Sequence, residues 1–115
     1  MVAQSNRYIP DRGDIVYLDF NPTKGLEQRG HRPAFVLSPR SYNAKSSLAL
    51  VMPITKQQKG YPFEVLLPSE LQIQGVILAD QIKCLDWKVR NVQFIESVPE
   101  GIVEEVQARI EPLIL

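Results

Sequence analysis

The chain has 115 residues, 44% hydrophobic and 23% charged, with thirteen basic and thirteen acidic side chains and a formal net charge of zero. That length and balance fit one folded domain, residues 1–115, leave no room for a second, and need no disulfide or metal for stability. No apolar stretch reaches the ~18 residues of a membrane helix, and one cysteine (Cys84) with one histidine (His31) makes neither an internal disulfide nor a metal cluster, so a cytoplasmic protein without membrane attachment, metal or cofactor is expected.

In chain order, residues 14–20 are β-branched and aromatic and follow Gly13, which predicts a first strand. Residues 33–38 and 48–54 are short continuous apolar runs bounded by proline, the pattern of strands buried on both faces. A helical turn is expected at residues 40–43 after Pro39. Residues 63–67, 75–83 and 92–95 complete about six strands, and Cys84 is expected as a small buried residue behind the fifth. Val98, Ile102, Val106 and Ile110 recur every four residues, which predicts a C-terminal amphipathic helix. Ser97-Val98-Pro99-Glu100 has the form of a capping box, so the helix is expected to start there. Short strands without intervening helices point to a mainly β fold of the α+β kind, an antiparallel barrel or small sandwich closed by that helix.

The zero net charge conceals an asymmetry. Residues 23–60 carry Lys24, Arg29, Arg32, Arg40, Lys45, Lys56 and Lys59 against Glu27 alone, a local charge of +6, whereas residues 61–115 carry −5. A basic face for a polyanion follows from this division, with an acidic end that keeps the molecule soluble. The long segment 21–32, polar and without apolar period, is expected as an exposed loop between the first two strands, and loops of that length in small domains tend to be functional.

That loop holds the densest polar constellation, from Lys24 through Glu27, Gln28, Arg29 and His31 to Arg32. No Gly-rich phosphate loop and no Gly-x-Ser-x-Gly elbow accompanies it, which leaves nucleotide cofactors and serine hydrolase chemistry unsupported. Phosphoryl chemistry on RNA suits these groups better. Attack of a ribose 2′-hydroxyl on the adjacent phosphorus needs a proton acceptor, a cation for the extra charge on the phosphorane, and a proton donor for the leaving 5′-oxygen. An arginine fork and a Ser or Thr hydroxyl can supply the charge stabilisation.

The residues 13–25, Glu27-Gln28 with Gly30-His31-Arg32-Pro33-Ala34, Val36-Leu37-Ser38-Pro39, Pro53-Ile54-Thr55, Lys59-Gly60-Tyr61-Pro62-Phe63-Glu64-Val65, Ala79-Asp80-Gln81-Ile82-Lys83 and Trp87-x-x-Arg90 together resemble the MazF branch of the MazF/PemK toxins. The resemblance runs in unbroken order from about Ile9 to the C-terminal helix. It implies an SH3-like small barrel of the plasmid-toxin CcdB/MazF fold, acting as a homodimer. It also implies a sequence-specific, ribosome-independent endoribonuclease that cuts single-stranded mRNA, with a labile antitoxin whose acidic C-terminal segment occupies the RNA site.

By that resemblance Arg32 is the main catalytic cation, Thr55 its partner at the phosphate, Glu27 a loop residue needed for activity, and His31 a candidate for proton transfer. The RNA-contacting surface is expected from Asn21, Lys24, Gln28 and Arg29 in the loop, Lys56 and Lys59 after the third strand, and Asp80, Gln81 and Arg90 further on. The PemK side of the family has an Arg where this chain has Leu78 and a His where it has Leu26, so the PemK acid and base assignment does not transfer whole.

Plainer roles exist for several of these residues. Arg32 would serve as a strand-edge charge paired with Asp14 or Asp19, Thr55 as a loop cap, Asp80 as half of a buried ion pair, and Phe20 and Trp87 as core rather than base-stacking aromatics. Two other functions fit the barrel. One is a gyrase poison of the CcdB kind, whose activity lies in a terminal Trp-Gly-Ile, in contrast to Leu113-Ile114-Leu115 here. The other is a nucleic-acid-binding barrel without catalysis, which leaves Glu27 and His31 unexplained.

Overall fold

The computed structural model describes residues 8–20 and 31–115, and in them the apolar runs become strands of one curled sheet. In order along the chain these are β1 (Asp14–Asp19), β2 (His31–Val36), α1 (Arg40–Ser46), β3 (Leu48–Thr55), β4 (Glu64–Leu66), β5 (Val76–Leu78), β6 (Lys83–Asp86), β7 (Gln93–Ser97) and α2 (Glu100–Ile114). The strands join in the order β4-β5-β3-β2-β1-β7, with β6 also paired to β3. Every pairing is antiparallel, giving an open, barrel-like sheet with two helices.

Side chains alternate across an extended strand, so a sheet buried on both faces needs two cores. One gathers Ile15, Phe35, Met52 and Ile54 beneath Val106 and Ile110 of α2. The other gathers Val16, Leu18, Ala34, Val36 and Val51 with Trp87. The two buried proline-bounded runs therefore face apolar neighbours in both directions, as their composition predicts.

The differences from expectation have local causes. The run 75–83 is two strands separated by a turn in which the Gln81 N–H donates to the Leu78 carbonyl at 3.0 Å. The polar pair Asp80-Gln81 lies in that turn and is exposed, so the plainer role of Asp80 as half of a buried ion pair is not seen among the described residues. Cys84 is likewise exposed, because the outer strand β6 leaves Lys83 and Cys84 uncovered. The turn expected at 40–43 extends to a helix through Ser46, ended by Ser47 in the left-handed region at φ 63°. The capping box does not form: Pro99 precedes the first residue of α2 without a side-chain cap, and the Ser97 hydroxyl donates to Asp14 Oδ1 at 3.1 Å.

Candidate active site

The end of β1 and the start of β2 set Leu18 opposite Arg32 and Asp19 opposite His31. One residue of separation in a strand sends two side chains to opposite faces. Arg32 belongs to the face of Leu18, Ala34 and Val36, and His31 to the face of Tyr17, whose ring centroid lies 5.5 Å from the imidazole. His31 and Arg32 thus project to opposite faces of β2, with the imidazole beside Tyr17 and the guanidinium on the face of Leu18 and Ala34.

β2 and β3 pair through Ala34↔Pro53, Phe35↔Met52 and Val36↔Val51. The paired register ends at Ala34↔Pro53, and alternation from those two residues sends Arg32 and Thr55, each two positions further on, to the same face. Arg32 and Thr55, some twenty residues apart in sequence, therefore end adjacent strands at one rim. The Thr55 hydroxyl oxygen accepts the Gln57 N–H at 3.2 Å, a local turn bond that leaves its own proton to donate outward. The loop-capping role and the phosphate role are compatible in one side chain.

The plainer role for Arg32 has no support. Asp14 accepts the Tyr8 hydroxyl at 2.5 Å, the Asp11 N–H at 3.0 Å and the Ser97 hydroxyl at 3.1 Å, while Asp19 accepts the Asn91 amide at 3.1 Å. Among the described residues the ion pairs are Arg40 with Asp11 and Arg109 with Glu105, so Arg32, Lys56 and Lys59 enter none. Arg40 and Lys45 are spent elsewhere: they belong to α1, next to the Leu48 end of β3 and not its Thr55 end.

Arg90 is half-buried, and its Nη1 donates to the carbonyls of Asp19 and Phe20 at 2.9 and 2.8 Å, which ties down the chain as it leaves β1. Its observed partners are backbone oxygens at the rim. Trp87 is core: it is 5% exposed and donates through Nε1 to the Asn43 carbonyl at 3.0 Å. Phe20 packs partly buried against the same cluster. The turn bearing Asp80 and Gln81 is joined to the β3–β4 loop by the Ala79 N–H, which donates to the Phe63 carbonyl at 3.0 Å. Asn21, Lys24, Glu27, Gln28 and Arg29 lie outside the described residues.

Two residues at this rim were not singled out by sequence. Gly75, at φ +121°, lies where β5 meets the end of β3, pairing Val76 with Thr55. Its signal was a glycine opening an apolar strand, which marks close approach of another backbone. Glu64 binds the backbone N–H groups of Lys59 and Gly60, and a lone carboxylate within an apolar strand was its signal.

A guanidinium and a hydroxyl aimed from neighbouring strand ends, with uncommitted lysines on the next loop, can grip a phosphodiester and stabilise charge that develops on it. Among the described residues no three His, Cys, Asp or Glu side chains converge to hold a metal ion, and no helix is long and apolar enough to cross a membrane. The fold and rim define a small β-barrel protein directed at the backbone of a nucleic acid.

Comparison with known proteins narrows this class. Residues 11–114 match the family model of the PemK-like, MazF-like toxin of type II toxin-antitoxin systems. The chain is 48% identical over 109 residues to the endoribonuclease toxin MazF of Escherichia coli strain K12, covering 95% of this chain and 97% of that protein. The crystal structure of MazF from Deinococcus radiodurans superposes with a TM-score of 0.84 at 44% identity, over 93% of this chain and 97% of that one. A MazE-MazF complex from the same organism gives 0.83 at 40% identity, over 93% and 96%. The chain belongs to the PemK/MazF toxin family.

Proposed function

We propose that the protein is the endoribonuclease toxin of a type II toxin–antitoxin pair, cutting single-stranded mRNA at a short sequence in the cytoplasm. In this reading the 2′-hydroxyl attacks the adjacent phosphorus, and the products are a 2′,3′-cyclic phosphate and a 5′-hydroxyl. Arg32 holds the phosphate oxygens through its fork, and Thr55 adds a hydrogen bond that strengthens as the phosphorane gathers charge. Glu27 is a loop residue needed for activity. Lys24, Arg29, Lys56 and Lys59 draw in the RNA backbone, and Asn21, Gln28, Asp80 and Gln81 line its path.

The observation that carries this reading is the shared face and rim position of Arg32 and Thr55. A cognate antitoxin with an acidic C-terminal segment fits the same cations, and a homodimer suits the apolar surface left exposed at Tyr42, Leu113 and Ile114. The test is incubation of the purified protein with a long RNA in EDTA, followed by sequencing of fragment ends. Discrete cleavage with 5′-hydroxyl ends is expected. Binding without cleavage would favour a non-catalytic barrel, and neither would reopen the gyrase-poison alternative.

A further inference from the structure

The loop between β3 and β4 carries Lys56 and Lys59, and side chains outside it determine its shape. The Glu64 carboxylate accepts the Lys59 N–H at 3.1 and 3.2 Å through its two oxygens and the Gly60 N–H at 2.9 Å. Gly60 holds φ +82°, which turns successive N–H groups toward one carboxylate, an arrangement otherwise used to hold anions. From α2, Arg109 donates through Nη1 to the Pro62 carbonyl and, at 3.2 Å, to the Glu64 carbonyl. Glu105, one helical turn earlier, accepts from Arg109 Nη2 at 3.1 Å and fixes the direction of the fork.

These bonds do little for global stability. The Arg109 and Glu105 side chains are 37% and 42% exposed, and ion pairs so exposed contribute little. Their effect is on the loop: without them residues 56–63 would have to be ordered at the moment RNA binds, at an entropic cost. We propose that Glu64 and Arg109 form a positioning clamp that presents the Lys56–Lys59 segment beside Thr55, so that RNA meets cations already in place. The proposal rests on the reading of the rim as the RNA site. Neither residue touches the reacting phosphate, so the clamp governs RNA binding and leaves the chemical step to Arg32 and Thr55. A lysine at 109 cannot reach two carbonyls and a carboxylate at once in fixed directions, which is the reason for a guanidinium there.

The experiment compares Arg109→Ala, Arg109→Lys and Glu64→Ala with the unaltered protein on a short RNA containing one cleavage site, with amide hydrogen exchange measured in parallel. Arg109→Ala should raise KM about tenfold and leave kcat within about twofold, the pattern of lost binding without lost transition-state contact. Exchange at Lys59 and Gly60 should quicken by at least ~10-fold, and Arg109→Lys should fall between. Glu64→Ala gives the same test should Arg109→Ala fail to fold. Unchanged KM with unchanged exchange overturns the clamp, as does a fall in kcat at constant KM. If the unaltered protein cuts no RNA, the functional reading fails separately, and exchange at Lys59 and Gly60 alone then upholds or overturns the clamp.

Discussion

A Cβ placed on Gly75 would stand 2.2 Å from the carbonyl oxygen of Thr55 and 2.8 Å from its carbonyl carbon. The contact is backbone against backbone, so no rotamer change relieves it, and φ +121° is itself unfavourable for any L side chain. Gly75 is therefore what allows β5 to close on the end of β3 and hold Thr55 in place. Gly75→Ala should lower stability by at least ~2 kcal/mol and reduce cleavage beyond what the lost folded fraction explains. Thermal unfolding with cleavage assays well below the melting temperature checks this. Wild-type values in both would show that the approach is not restrictive.

Arg32 and His31 separate by face, and their substitutions should separate by effect. Arg32→Ala should reduce cleavage by at least ~10²-fold, since removing one preorganised donor to developing charge costs about 3 kcal/mol. Arg32→Lys should recover only part, because an ammonium lacks the fork. His31→Ala, which removes a ring tilted at 40° against Tyr17, should cost less than about tenfold. A His31 variant as inactive as Arg32→Ala, with normal circular dichroism, would return the imidazole to the chemistry.

Much of this could be read in the residues. The continuous apolar runs around Phe35 and Val51 announce burial on two faces because a one-faced strand would alternate. The four-residue recurrence from Val98 to Ile110 announces α2 in the same way. Arg32 and Thr55 were legible only as motif members. Their placement on one face at one rim depends on the β2–β3 pairing, a property of paired strands that neither segment contains alone. The Ser97 capping pattern misled because Ser97 is still the last residue of β7, while α2 begins at Glu100 with Pro99 immediately before it, which leaves the serine short of the capping position. Cys84 misled because its apolar neighbours imply a strand but not whether that strand lies at the sheet's centre or on its outside.

Tyr8 gives stability a dependence on alkaline pH. Burial, reinforced by the hydrogen bond to Asp14 and by its charge, pushes the phenol far above its ordinary range. In the unfolded chain a tyrosine ionises near ~10, so the folded state holds the proton more tightly. The resulting stabilisation is fully present below that pH and is lost as pH rises above it. Denaturant midpoints between neutral pH and about 11 should fall more steeply for the unaltered protein than for Tyr8→Phe. Tyr8→Phe should be the less stable of the two at neutral pH, because Asp14 loses one of its donors. Parallel pH curves would remove Tyr8 as the source.

The final expectation concerns competition at the rim. Lys56 and Lys59 are exposed and belong to no ion pair among the described residues, so their charge is available to a polyanion. RNA phosphates and an acidic antitoxin segment offer that polyanion in two chemical forms, and one set of cations cannot serve both at once. Reversing Lys56 and Lys59 to Glu should weaken the binding of a non-cleavable RNA and of the antitoxin segment together, by at least ~10-fold each at low salt. Both affinities of the unaltered protein should fall as salt rises, and the variant's slopes should be shallower because fewer counterions are exchanged. Titration calorimetry of each ligand, alone and in the presence of the other, gives these values. Simultaneous binding of RNA and antitoxin without mutual effect would show that inhibition does not work by occupying the active site.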